Sequence, residues 1–170
     1  MKNAPKKLLF ELPAADEIDD LAITTPRFAV RKFEFDLTDT KADLRYPPCK
    51  AQVVLVVKGK NGVALAKHGK DGWILPSGRI GAAEEIPTAA KRLAREEFGL
   101  PVMSIELAGI YDVIWHYSDL TVKRLHFVYS GMMGDEPEQA ARNKVGFHQK
   151  PEEIVTDEIS KAALTDCKEK

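Results

Sequence analysis

Cysteine is scarce in this chain: Cys49 and Cys167 are the two cysteines among 170 residues. Two cysteines are too few for a multi-disulfide framework, and their separation does not match the ligand spacing of a zinc site. Thiols kept reduced are typical of intracellular proteins. We therefore predict a cytoplasmic location.

An excess of charge of one sign is also absent, because 25 Lys and Arg stand against 26 Asp and Glu, for a formal net charge of -1. No overall basic field draws the chain to nucleic acid or to an anionic membrane, so we expect no stable nucleic-acid complex. The apolar run from Val53 to Val57 is too short to span a bilayer. The apolar stretch from Leu8 to Phe10 is soon followed by acids, which is not a secretory signal. We expect no membrane partner.

The composition that remains, 44% hydrophobic and 30% charged, is that of one globular domain with an extension. Phe33, Phe35 and Leu37 alternate with polar residues, which predicts a half-buried strand. Such a strand can pair across a homodimer if it lies at a sheet edge. Tyr46-Pro47-Pro48 indicates a break. We divide the chain into an N-terminal extension, residues 1–48, and a domain, residues 49–170.

Within the domain, the hydrophobic pattern predicts strands before and after one helix, and a second helix near the C-terminus. This order favours an α+β fold with a mixed sheet between helices. The predicted strands are Ala51–Val57, Val63–Lys67, Trp73–Leu75, Ser104–Tyr117, Leu120–Met132 and a short one around Ile154. The predicted turns and loops are Lys60–Gly62, Ser118–Asp119 and Pro137–Lys150, and the predicted last helix is Asp157–Ala163.

The first helix, from Ile86 to Phe98, has an unusual acidic position. On a wheel of about 100° per residue, Glu97 falls near the middle of the apolar face and Glu96 at its edge, beside Arg92. A carboxylate aimed at a core needs a cation or strong donors opposite it. The alternative is a solvated or salt-bridged glutamate beside a narrow apolar stripe.

The stretch GRIGAAEEIPTAAKRLAREEFGL, residues 78–100, resembles the signature of the Nudix hydrolase family. Gly78 is followed by five residues to Glu84 and then seven to Arg92, and Glu96, Glu97 and Gly99 complete the pattern. The specified positions match except one, where Leu93 replaces a glutamate. The resemblance implies an α/β/α sandwich and an enzyme that acts on a small nucleotide derivative.

The resemblance also implies roles for residues of the signature. Glu96, Glu97 and the backbone carbonyl of Ser77 would hold Mg²⁺, with Mn²⁺ as the alternative ion. Magnesium needs only one or two protein carboxylates when phosphates and water complete its shell. Glu84 and Arg92 would brace the loop against the helix, and Arg92 can also pair with Glu96 at i,i+4.

Leu93 removes the glutamate that activates water in many family members, and leucine there fits a core position. The base would then come from elsewhere in the chain, as it does in other family members. The candidates are Glu152, Glu153, His148, Asp119 and His116.

Some features resemble the GDP-mannose mannosyl hydrolase subgroup, namely Gly78-Arg79-Ile80, Leu93 after Arg92, and Trp115-His116-Tyr117. In that subgroup a histidine is the base, attack occurs at the sugar carbon, and an arginine, here Arg79, assists the leaving diphosphate. The subgroup lacks one of the two glutamates that this chain keeps. A nucleotide sugar is therefore the favoured substrate, and a nucleoside triphosphate or ADP-ribose-type substrate is the alternative.

The segment Trp115-His116-Tyr117 allows two interpretations. The aromatics can bind a base or sugar while His116 transfers a proton. Alternatively, Trp115 and Tyr117 fill one sheet face and His116 lies on the other. Leu93 also leaves open a protein that binds or senses nucleotides and turns them over weakly.

Overall fold

The computed structural model describes residues 28–42, 50–70, 72–134 and 145–168. The predicted break at Tyr46–Pro48 lies outside these ranges. The strands are β1 Ala29–Leu37, β2 Ala51–Gly59, β3 Gly62–His68, β4 Gly72–Ile74, β5 Ser77–Arg79, β6 Val102–Tyr117, β7 Thr121–Met133 and β8 Val145–His148. The helices are α1 Ile86–Arg92, a π-helical turn Leu93–Glu97, a 3₁₀ turn Pro151–Glu153 and α2 Glu158–Lys168.

The strands form one mixed sheet, which has eight members in the described part of the chain and runs β1-β6-β7-β2-β3-β4. The pairs β1–β6 and β2–β7 are parallel, while β6–β7 and β2–β3 are antiparallel. β5 pairs with β2, and β8 pairs with β3. The five residues Val53–Val57 are all buried because β2 is central and covered on both faces.

Each face of the sheet packs against one helical layer. On one face, Val53, Leu55 and Phe127 pack with Ala90 and Leu93 of the first helical segment. On the other face, the buried residues of the sheet pack with α2. They are Val54, Val56, Tyr111 and Val128 from the sheet, and Ala163, Leu164 and Cys167 from α2. The predicted α+β fold with an α/β/α sandwich is confirmed.

A partly buried polar cluster attaches α2 to the sheet. Asp166 of α2 accepts hydrogen bonds from Arg31 Nε at 2.8 Å, from Arg31 Nη2 and from the Tyr111 hydroxyl. Burial, together with the Asp166 carboxylate, raises the pKa of Tyr111 well above its ordinary value. The hydrogen bonds to Asp166 likewise raise the pKa of Arg31. β1 is therefore held by both its neighbour β6 and the C-terminal helix.

Three predictions of secondary structure were wrong. The strand around Ile154 is a 3₁₀ turn, because Pro151 starts a tight turn whose carbonyl accepts the amide hydrogens of Ile154 and Val155. The loop Pro137–Lys150 contains β8, whose residues pair with Val63–Ala66. The last helix extends five residues beyond Ala163, to Lys168. No helix in the described ranges is long and apolar enough to cross a membrane.

Candidate active site

The loop strand β5 lies directly beneath the start of the π-helical turn. Gly78 pairs with Val53 of β2, and a side chain at Gly78 would overlap Leu93 Cδ2. Leu93 is only 2% exposed and belongs to the core between α1 and the sheet. Leu93 therefore fills the space above the glycine, which confirms the interpretation of Leu93 as a core residue.

The loop between β5 and α1 turns sharply, so that the Glu84 side chain contacts the backbone of Gly81 in the same loop. The amide of Glu84 donates to the Gly81 carbonyl at 3.1 Å, and the amide of Gly81 donates to Glu84 Oε1 at 2.8 Å. Ala83 has φ of 62°, a left-handed conformation that costs energy in a residue with a side chain. In this strained loop, the hydrogen bond from the Gly81 amide fixes the Glu84 carboxylate.

Arg92 connects the loop, β5 and the acidic end of the helix. Its Nε and Nη2 donate to the two oxygens of Glu84 at 2.8 and 3.0 Å, and Nη2 also donates to the Arg79 carbonyl at 2.9 Å. Its Nη1 lies 3.5 Å from Glu97 Oε1. The hydrogen bonds from Arg92 and from the Gly81 amide lower the pKa of Glu84 to about 2, so this carboxylate stays ionised.

The π-helical turn changes where the two glutamates point. The Phe98 amide donates to the Leu93 carbonyl, an i,i+5 bond of 3.1 Å, and Gly99 ends the helix with φ of 61°. Residues five apart then lie above one another, so Arg92 forms its close ion pair with Glu97 and interacts with Glu96 only at longer range. The prediction of an i,i+4 pair with Glu96 was wrong, and so was the position of Glu97 in the middle of the apolar face. The alternative interpretation of Glu97, a solvated and salt-bridged glutamate, is confirmed.

The helix end thus presents two carboxylates to solvent, since Glu97 is 56% exposed and Glu96 is also exposed. Within the described ranges, no three His, Cys, Asp or Glu residues form a group that could hold a metal. Two accessible carboxylates suit an ion such as Mg²⁺, which takes few protein ligands and completes its shell with phosphate and water. The donor set therefore fits the predicted ion. The roles of Ser77, Glu96 and Glu97 as its ligands stay predictions.

All five candidate bases have contacts with other residues. Glu152 and Glu153 belong to the 3₁₀ turn that contacts α2. Glu152 Oε1 lies 3.4 Å from Lys168 Nζ, and Glu153 Oε1 lies 3.9 Å from Lys150 Nζ. Asp119 accepts the Ala42 amide at 3.0 Å, which fixes the β6–β7 turn. The His148 ring packs edge-on against Trp73 with centroids 4.9 Å apart, and its buried Nε2 has no hydrogen-bond partner among the described residues.

The fifth candidate, His116, lines an open cavity of about 400 Å³ together with Glu34, Phe35, Asp36 and Thr38. His116 is opposite Asp36 in the β1–β6 pairing. The Asp36 carboxylate accepts the amide and hydroxyl of Thr38, and these bonds, with a smaller effect of His116, lower its pKa. His116 Nδ1 lies 3.4 Å from the Thr121 hydroxyl. Of the five candidates, only His116 lines this cavity.

Sequence reasoning missed a polar group on the α2 face of the sheet. Gln52 is opposite Arg79 in the β2–β5 pairing and accepts Arg124 Nη1 at 3.3 Å. The Arg124 guanidinium lies 5.3 Å from the centroid of Trp115, which also contacts His126 edge-on. The spacing of Arg124 and His126, two residues apart on a strand, indicates a shared face. It does not indicate that Gln52 lies beside them.

Trp115 and Tyr117 differ in their surroundings. The Trp115 ring lies beside Phe35, with centroids 6.2 Å apart, and carries Arg124 over it. Tyr117 is half-buried at the end of β6, and its amide donates to the Leu120 carbonyl in the turn. Their predicted contact with substrate stays a prediction.

A sequence model of the NUDIX domain matches residues 47–163. No curated protein matches the chain. Among solved structures, a MutT protein from Bacillus halodurans is 23% identical, with a TM-score of 0.54 over 68% of this chain and 79% of that one.

Two further solved structures have the same fold at similar identities. A NUDIX hydrolase from Nitrosomonas europaea is 18% identical, with a TM-score of 0.54 over 71% of this chain and 89% of that one. A pyrophosphohydrolase from Bacillus subtilis is 18% identical, with a TM-score of 0.52 over 76% of this chain and 88% of that one. At these identities the likeness shows the fold.

Proposed function

The chain belongs to the Nudix family of hydrolases, and from this premise we propose that it hydrolyses a nucleoside diphosphate derivative with the help of Mg²⁺, a nucleotide sugar being the favoured substrate. The observation that carries the proposal is the position of Arg92. Its guanidinium joins Glu84, the Arg79 carbonyl and Glu97 within 3.5 Å. The loop between β5 and α1 is thereby held beside the exposed carboxylate of Glu97.

In this proposal Glu96, Glu97 and the Ser77 carbonyl hold Mg²⁺. When bound, the ion neutralises phosphate charge and orients the leaving group. Arg79 supplies a further cation to the diphosphate from the strand that adjoins the helix. Arg92 and Glu84 hold the loop and do not take part in proton transfer, since both oxygens of Glu84 accept hydrogen bonds from Arg92.

The nucleoside would reach the α2 face around the end of β6, because Trp115 is on that face while its neighbour His116 is on the opposite one. Arg124 is held by Gln52 and lies over Trp115, so its guanidinium plane is fixed. Aromatic rings and guanidinium planes both stack with bases, and a guanidinium also binds phosphate oxygens. Arg79 is opposite Gln52 in the sheet, which connects this surface with the diphosphate end.

We assign the proton transfer to His116. Leu93 is buried in the core and leaves the helix without the usual base. His116 stands in a cavity whose other polar groups, Glu34, Asp36 and Thr38, can accept the hydroxyl hydrogens of a sugar. This cavity is the specific feature that favours a nucleotide sugar over a nucleoside triphosphate.

Product analysis tests the proposal. The purified protein is incubated with Mg²⁺ and a panel of nucleotide sugars, nucleoside triphosphates and ADP-ribose-type dinucleotides. We expect free sugar and a nucleoside diphosphate from a nucleotide sugar. A nucleoside monophosphate would instead indicate pyrophosphohydrolysis, the alternative within the family and the activity named for the Bacillus subtilis neighbour.

A second candidate function is nucleotide binding with little turnover, which the buried Leu93 favours. It predicts that nucleotides bind, measured by calorimetry, while no member of the panel is hydrolysed with Mg²⁺ or Mn²⁺. That result would refute the hydrolase proposal and leave the binding surface in place.

A further inference from the structure

β1 is the first strand of the sheet, and among the described residues only β6 pairs with it. Its nine residues, AVRKFEFDL, contain no proline and no glycine. An edge strand of this length presents a row of backbone donors and acceptors to any second strand. Native proteins cover such an edge, interrupt it or place charges on it, and β1 has charged side chains but neither a proline nor a bulge in its pairing with β6.

The side chains of β1 are complementary to those of a second, antiparallel copy. When the two copies are centred on Phe33, Lys32 of each chain faces Glu34 of the other, and the two Phe33 residues face each other. Directly opposite charges attract across a strand pair, and like charges repel. In this arrangement the twofold axis produces two attractive pairs, as an isologous interface requires.

Neighbouring registers each contain a like-charge pair. Centring the pair on Glu34 places two glutamates opposite each other, between two Lys32–Asp36 pairs, and centring it on Lys32 places two lysines opposite each other. If one strand shifted by a single residue, Phe33 of one copy would lie opposite Glu34 of the other. The second sheet would then present its opposite face on that side. Of these three registers, only the one centred on Phe33 joins opposite charges without a like-charge pair.

β1 is already folded in the single chain, with the charges of the proposed contact exposed. Lys32 and Glu34 lie 3.5 Å apart and are 62% and 55% exposed, so both charges are accessible. On the opposite face, the Phe33 ring packs against Tyr111 with centroids 5.4 Å apart, and Arg31 is bound to Asp166. Because these contacts hold β1 against β6 and α2, association does not require the strand to fold.

We propose that this protein forms a homodimer in which β1 pairs antiparallel with β1 of a second copy, in the register that joins Lys32 to Glu34. The interface of a single strand pair is at the small end of known interfaces, so the dimer dissociates on dilution. Glu34 also lines the cavity of His116, so the interface adjoins that cavity. The proposal does not depend on which substrate the protein hydrolyses.

Charge reversal with mixing tests the register. Lys32→Glu and Glu34→Lys are each expected to weaken self-association roughly tenfold, because two attractive pairs become repulsive. An equimolar mixture of the two variants restores the attraction in a heterodimer. The double variant K32E/E34K restores it in a homodimer. Molar mass is measured by light scattering and sedimentation over a concentration series, with circular dichroism as the check on folding.

Matched controls are Lys60→Glu in the β2–β3 turn and Glu106→Lys on β6, both exposed. They change the net charge equally and should leave the dimer unchanged. A wild-type protein that stays monomeric at every concentration would overturn the proposal. So would a dimer that neither reversal weakens, or single variants that do not associate on mixing.

Hydrogen exchange of the β1 amides tests which segment covers the edge. We expect their protection to rise with protein concentration in the wild type and not in Glu34→Lys. Protection that is high and independent of concentration would show that another part of the same chain covers the edge, and would overturn the proposal. Because these measurements contain no nucleotide, a failed dimer and a failed hydrolase give different results.

Discussion

Replacing Leu93 with glutamate restores the residue that the family signature has at this position, and the structure predicts a loss. The Leu93 side chain is 2% exposed and fills the space above Gly78. Removing a buried leucine side chain typically costs about 2–5 kcal/mol. An ionised carboxylate in the same space adds its desolvation cost, unless it binds a proton or turns outward. We expect the free energy of unfolding to fall by about 4 kcal/mol at pH 7, a large share of the total for a small domain.

The assay is urea unfolding of wild type and Leu93→Glu at several pH values. Burial raises the pKa of the introduced carboxyl in the folded state. Its protonated form is the one that folding tolerates, so the deficit should shrink as the pH falls toward the unfolded pKa of about 4.3. Leu93→Met is the control, because a volume-conserving change usually costs less than about 1.5 kcal/mol.

Turnover completes this test. With Mg²⁺ and the preferred substrate, Leu93→Glu should show no several-fold gain in kcat, because the new carboxylate has no access to the metal from the core. A variant as stable as wild type with a several-fold higher kcat would refute the reasoning. It would show that the side chain at this position reaches the acidic end of the helix.

Three further predictions rest on other contacts. Glu97→Gln should abolish Mg²⁺-dependent turnover and leave the melting temperature nearly unchanged, since the side chain is 56% exposed. The control Glu106→Gln should change neither quantity. Full activity of Glu97→Gln would remove Glu97 from the metal site. Gly78→Ala should destabilise the protein by about 1–3 kcal/mol through its overlap with Leu93, and a double-mutant cycle with Leu93→Val should recover part of the loss; strictly additive losses would contradict the contact. Burial lowers the pKa of His126 to about 3, from an ordinary 6.5. Between these pH values the unfolded state binds more protons than the folded state. The free energy of unfolding should therefore decrease as the pH falls, by up to about 1.4 kcal/mol per pH unit. His126→Gln should remove that slope, and an unchanged slope would assign it to other groups.

The regular elements could be predicted where the hydrophobic pattern had one interpretation. The alternation at Phe33, Phe35 and Leu37 predicted β1, and the continuous β-branched run at Val53–Val57 predicted the central strand. The pattern failed at Ile154 and at Val145–His148. Both segments are short, and their structure depends on contacts with distant residues of β3 and on a proline turn.

The signature between residues 78 and 100 was enough to predict the family, because its spacing is fixed along the chain. The pair Glu84–Arg92 was likewise predicted, and the structure shows it as a bidentate ion pair. The direction of Glu97 was not. A helical wheel assumes one turn per 3.6 residues throughout, and the π-helical turn changes that rotation where the two acids lie.

The sequence by itself determined the family, the mixed sheet between two helical layers and the leucine in place of a glutamate, since these depend on local spacing and on residue type. Only the tertiary structure decided that Leu93 lies against Gly78, that Arg92 joins Glu97, and that His116 shares a cavity with Asp36 and Glu34. The reason is physical. Residues far apart in the chain meet through strand register and helix packing, and a local pattern of hydrophobicity determines neither.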